Sequence, residues 1–179
     1  MLLKIKSFAR HLKSADGAEI AEAALVLPLV FMLLLGIVWF GRAFNIYSTI
    51  QQAAQQGAVT AARATCATCS PGNTSPTDNA VDTATAAVMQ ASNLDLTQII
   101  ASGPSPLSCQ NTATPATCTT STHNITICRQ ALLNSTTTPP LQCGTVVAFQ
   151  YPFTFNFPGT SLNMQKIILS AQAQTRTEN

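Results

Sequence analysis

Six cysteines and one acid at the lip of an apolar run are the residues of this chain best placed to do chemistry. Cys66 and Cys69 have the C-x-x-C spacing of a dithiol redox motif. They fall at the C-terminal end of a predicted helix, where the dipole disfavours a thiolate, and no strand leads into them, so structural bridging is the expected role. With Cys109, Cys118, Cys128 and Cys143 they make an even set that lies wholly after the apolar run, and this reads as disulfides in an oxidising compartment. His11 and His123 are the two histidines, and with so few acids beyond the run neither a metal cluster nor a Ser/His/Asp triad can be assembled. Glu22 stands five residues after Gly17 and directly before the uncharged stretch Ala23 to Gly41. A carboxylate at the edge of hydrocarbon is paired, functional, or hydrated at the headgroup boundary.

The elements that position these residues start with that stretch. Its nineteen residues reach about 28 Å as a helix, enough for a bilayer core, and no later apolar run is comparable. Lys4, Lys6, Arg10 and Lys13 precede it, whereas the matching window after it holds Arg42 alone. That bias predicts a cytoplasmic N-terminus and an outer location for everything after about residue 42. A secretory signal peptide fits less well, because the run exceeds an ordinary h-region and two acids, Glu19 and Glu22, sit at its entrance. Pro28 removes an N–H within the span and predicts a kink or loosened turn. Gly36 and Gly41 are five apart and form no GxxxG motif. The net charge of +2, with no adjacent basic pair outside the leader, argues against nucleic acid as a partner.

Helical spacing continues past Arg42 through Ala43, Tyr47, Ile50, Ala54, Gly57 and Ala61, with Gln51, Gln52, Gln55, Gln56 and Arg63 off the stripe. A helix from Ala18 to about Thr65 would be roughly 72 Å long. Ser70-Pro71-Gly72-Asn73 is a stop signal, and a second helix is expected from Asp78, as N-cap, to Ser92. Residues 102–122 read as a Ser/Thr/Pro loop, pinned if Cys109 pairs with Cys118. His123 to Arg129, Thr145 to Phe153 and Lys166 to Thr175 read as strands, the last alternating Ile167, Leu169, Ala171 and Ala173 with Ser170, Gln172 and Gln174. If Cys128 and Cys143 paired, they would close a hairpin-like connection and stabilise it by about 3 kcal/mol. The outer 114 residues from Cys66 form one small domain. The fold class is α+β: a long N-terminal transmembrane helix that continues outside the membrane and packs on a small antiparallel sheet.

The Gly-x-x-x-x-Glu step from Gly17 to Glu22, the Ala-Leu-Val-Leu-Pro of residues 24–28 and the Gly36-Ile37-Val38-Trp39-Phe40-Gly41-Arg42 exit resemble the TadE-like proteins. These are pseudopilins, or minor pilins, of the tight-adherence (Flp-type) pilus machinery within the type IV pilin superfamily. The resemblance is specific over residues 15–65, and Ile168 to Glu178 is similar to the family's terminal strand. It implies a non-enzymatic chain with no cofactor, held in the bacterial inner membrane with its C-terminal domain periplasmic. The partners it implies are a prepilin peptidase, other pilins and the pilus assembly machinery. It further implies scission of the Gly17-Ala18 bond, with Glu22 as the fifth mature residue, although Ala23 stands where the family often has an aromatic residue. On this reading the chain divides into a leader (1–17), a span (18–42), a helical extension (43–65) and a periplasmic domain (66–179). The alternative is a permanently anchored periplasmic binding or adhesion module whose leader is never removed.

Overall fold

The computed structural model describes residues 15–63, 75–110, 113–134, 139–154 and 166–176. The basic leader cations, His11, Cys66, Cys69 and the Ser70–Asn73 stop signal lie outside these residues. Two units divide the chain, Met1–Ala43 and Phe44–Asn179. An apolar α-helix followed by a curled antiparallel sheet gives an α+β fold.

Helix α1 spans Ala15–Ala62, beginning earlier and ending slightly sooner than its spacing predicts. Within the first unit its side chains are exposed on every side: Leu25, Leu29, Met32, Ile37 and Phe40 all show more than half their surface. A helix apolar all round has no polar face to offer water, and lipid or other apolar helices are its natural surroundings.

In the second unit the stripe on α1 narrows to small residues. Ala53, Ala54 and Ala58 are fully buried with Ile50, and Ala61 is nearly so. Tyr47, expected on this stripe, is 44 % exposed, and Gln51, expected to face water, is half-buried and donates to the Ser170 carbonyl at 3.1 Å. Small side chains let the backbone come close to its neighbours. A Cβ on Gly57 would fall on Thr85 Oγ1 and lie 3.3 Å from Val147 Cγ1.

Helix α2 runs Asp78–Ala91. Thr77, not Asp78, caps it: the Thr77 hydroxyl accepts from the Ala80 N–H, and Asp78 falls in the first turn, where an acid complements the helix dipole. Its end closes with Asn93 at φ 54°, while Asn93 N–H and Leu94 N–H bond the carbonyls of Gln90 and Met89. That is a Schellman arrangement, in which asparagine tolerates the left-handed backbone.

A short 3-10 turn, Leu96–Gln98, leads to strands β1 (Ile100–Ala101), β2 (Thr117–Thr120), β3 (Thr126–Leu132), β4 (Cys143–Phe153) and β5 (Ile167–Arg176), all antiparallel. β4 is the spine. β5 pairs along it from Gly144 to Phe153, so β3 (facing 143–148) and β1 (facing 149–150) must share its other edge. On β5 the expected alternation holds around buried Ala171, but Ile167 at the strand's start is 45 % exposed.

Residues 102–122 are not all loop. They contain β2, and Leu107 and Ser108 bridge to Pro115 and Ala131. β3 begins three residues later than expected because His123 and Asn124 form the β2–β3 turn, Asn124 at φ 59°. The strand is interrupted between Cys128 and Ala131, where Gln130 takes φ 54°. Beyond that bulge β3 still pairs with β4, but the partner on its other edge changes from β2 to residues 107–109: Cys109 N–H bonds the Gln130 carbonyl and Leu132 N–H bonds that of Leu107.

This register decides the disulfides. Cys128 stands directly opposite Cys118 on β2 and the two are bonded, while Cys143, facing Leu132, is bonded to Cys109. Both conditional local pairings, Cys109–Cys118 and Cys128–Cys143, are therefore replaced: Cys109–Cys143 ties the 104–116 segment to β4, and Cys118–Cys128 joins β2 to β3.

One face of β4 gives Val147, Phe149 and Tyr151 to the main core with Ile50, Val81, Met89, Ile125 and Ile127. Its other face gives Val146 to a smaller cluster with Ala116, Cys128 and Ala131. Each large apolar side chain fully buried here stabilises the domain by about 1.5–3 kcal/mol. The tight contact at Gly57 is testable. Gly57→Ala should destabilise the domain by about 1–3 kcal/mol despite alanine's better helix propensity, because Thr85 Oγ1 is held by its bond to the Val81 carbonyl. Adding Thr85→Ala should recover part of that loss in a thermal-unfolding double-mutant cycle, and simple additivity would contradict the contact.

Candidate functional site

The N-terminal end of α1 carries the residues singled out from the sequence. Gly17 and Ala18 lie in its first turn, where backbone N–H groups have no partner within the helix. Their peptide bond is thus part of a helix terminus, the portion of a helix most easily opened. Glu19 and Glu22 are both exposed, and at a spacing of three they share one helix face.

Pro28 lies inside α1, and the helix runs unbroken through it. It has no N–H to give the Ala24 carbonyl, so that acceptor has lost its usual helical partner within the apolar run. The first charged side chain after Glu22 is Arg42, about 30 Å further along the helix, and its guanidinium carbon lies 5.9 Å from the centre of the Trp39 ring. An acid and a cation therefore bracket a membrane-length segment that contains no other charge. Among the described residues this is the single helix long and apolar enough to cross a bilayer.

A second polar constellation was not anticipated. Asp78 and Asp82, one turn apart on α2, meet the β2–β3 hairpin. Asp78 accepts from Thr119 Oγ1 at 2.7 Å and from Arg129 Nε and a terminal guanidinium nitrogen at 3.1 and 2.7 Å; the same terminal nitrogen also donates to the Pro76 carbonyl at 2.6 Å. Asp82, 3 % exposed, accepts from Ser121 Oγ at 2.5 Å and faces His123 Nδ1 at 2.7 Å. Serine, histidine and aspartate thus meet, but in the wrong order for nucleophilic catalysis. The Ser121 hydroxyl gives its proton to the carboxylate and accepts the Ile125 N–H, so the imidazole is not placed to activate it. The cluster fastens α2 to the hairpin. Only Asp82 at a buried helical position hinted at it, since its partners are 39 and 41 residues away.

The four described cysteines are all bonded, and no group of three or more metal-ligating side chains occurs among the described residues. Fold and site together define an α+β protein with a membrane-length apolar helix, an acid at its entrance and a disulfide-bonded sheet. Residues 17–59 match the model of a family described as TadE-like protein. The match lies wholly within α1. No curated protein and no solved structure matches the chain.

The α2 clamp carries a pH signature. Burial works against the Asp78 charge, but the hydrogen bonds from Thr119 and Arg129 and the guanidinium charge outweigh it, so the carboxyl titrates below its ordinary value. Its stabilisation is complete above the unfolded aspartate value and is lost as pH falls through the lower folded one. The domain should therefore lose stability below about pH 4, and Asp78→Asn should flatten that dependence. Some slope should remain, because Asp95 is also held low by its bonds with Thr97. An unchanged slope in Asp78→Asn, measured by denaturant unfolding across this range, would contradict the clamp.

Proposed function

We propose that this chain is a non-enzymatic pseudopilin or minor pilin, processed by a prepilin peptidase and taking part in assembly of a Tad/Flp-type pilus. The observation that carries the reading is the TadE-like match beginning at Gly17 and running through Glu22 and the whole apolar segment. In this proposal residues 1–17 are a cytoplasmic leader, 18–42 the inner-membrane span and 43–65 its extension, and the domain from residue 66 is periplasmic. Lys and Arg bias across the span supports that orientation. Pairing of all described cysteines supports an oxidising compartment for the domain.

The peptidase cuts Gly17-Ala18, and the absence of a side chain on Gly17 allows close approach of its pocket to the backbone. The freed Ala18 ammonium pairs with Glu22 of an adjacent subunit as the subunits stack. An unpaired charge there costs several kcal/mol, so pairing fixes the stagger between neighbours. Pro28 weakens one turn of the span and eases its withdrawal from the bilayer during assembly.

Intact-mass measurement of the membrane form, made with the matching peptidase present, should give a mature chain beginning at Ala18. Retention of Met1 would favour the permanently anchored module instead. Glu22→Ala should leave cleavage largely intact and lower pilus yield by more than about tenfold, as expected for losing a desolvated charge pair. Normal yield in that variant would remove the pairing step from the account.

A further inference from the structure

Arg42 closes the apolar run with a charge that has no acidic partner among the described residues. Among the described residues its contact is the Trp39 ring, and no ion pair or hydrogen bond engages its guanidinium. No acid occurs in the sequence between Glu22 and Asp78, so none lies within a turn of Arg42 on its own helix. Arg42 and Arg63 are the only Lys or Arg residues between Lys13 and Arg129.

We propose that Trp39 and Arg42 form a binding site for a phospholipid headgroup phosphate at the end of the span remote from Glu22. The length of the uncharged run puts Arg42 at headgroup level when the run fills the hydrocarbon. Trp39, three residues earlier, stands on the same helix face, at the depth where indole rings collect. The ring holds one side of the guanidinium through cation–π attraction, which leaves the planar N–H fork free to take two phosphate oxygens. With no counter-charge of its own, the fork is complemented by the diester anions that surround it. The site fixes the depth of the helix, so that extraction into a filament must break it. The inference rests on the span lying in a bilayer, and not on processing at Gly17.

Trp39 is the only tryptophan in the chain, so its fluorescence reports on this site alone. The full chain is reconstituted in phosphatidylglycerol/phosphatidylcholine vesicles containing lipids brominated either near the carbonyl end or near the methyl end of the acyl chain. In the wild type the shallow quencher should dominate. Arg42→Gln should lower the shallow-to-deep quenching ratio by about twofold, and Arg42→Lys, which keeps the charge without the fork, should fall between. In vesicles of a phosphate-free galactolipid the wild type and Arg42→Gln should behave alike.

Equal ratios for wild type and Arg42→Gln in phospholipid would overturn the proposal. So would an Arg42 effect that persists in galactolipid, or one that scales with the protein-to-lipid ratio, since the latter would assign the partner to another copy of the chain. Quenching by neither brominated lipid would instead refute the span itself, a different failure that removes the basis of the site.

Discussion

The close approach of the small-residue face of α1 to α2 and to β4 is the constraint on which the outer domain is built. Ala53, Ala54, Gly57, Ala58 and Ala61 have too little bulk to hold a helix away from its neighbours, and Gly57 has no room for even a methyl group beside Thr85. The helix thereby becomes part of the core, covering Val147, Phe149 and Ala171. β4 is then buried on both sides, because the disulfide-tied 104–116 segment closes over its opposite face, where Ala116 packs with Val146 and with Cys128 and Ala131 of the adjacent β3. The polar clamp between α2 and the β2–β3 hairpin holds the second helix to that same hairpin. Small residues, disulfides and buried charge together compensate for a modest core in a small domain.

What could be read from the residues divides by the range of the interactions. The uncharged run, the alternation around Ala171 and the helical spacing of Val81, Ala84, Val88 and Ala91 are local patterns, and they place two helices and three strands within a few residues, although the face that α2 buries carries Val81, Thr85 and Met89. Thr77 displaced Asp78 as cap because the two adjacent residues are both good caps and local sequence does not rank them. The start of β3 was misplaced because Asn124 adopts a left-handed turn that its flanking β-formers conceal. The disulfides were beyond local reading. Their pairing follows from a sheet register that sets Cys118 opposite Cys128 and from a β-bulge that brings Cys109 to the end of β4. Arg129 likewise finds Asp78 across 51 residues, and no spacing rule predicts that contact.

The entrance of α1 is different, because its meaning depends on a partner. Gly17, Ala18 and Glu22 sit toward the N-terminal end of α1, and Glu22 is exposed, with no ion pair or hydrogen bond among the described residues to explain an acid at the edge of an apolar run. Arg42 poses the mirror problem at the other end, where Trp39 supplies a surface but no counter-charge. An uncharged segment bracketed in this way has its vertical position defined at both ends, one acid and one cation about 30 Å apart. In the proposed assembly the acid is satisfied by another subunit and the cation by lipid, so that leaving the bilayer exchanges one set of partners for the other.

Zero-length carbodiimide coupling of assembled filaments, built from mixed isotopically light and heavy subunits, tests the central claim most directly. The account predicts an amide between the Ala18 amine and the Glu22 carboxylate, joining a light peptide to a heavy one. A bond found solely within single chains, or none at these two residues while other contacts couple normally, would contradict it.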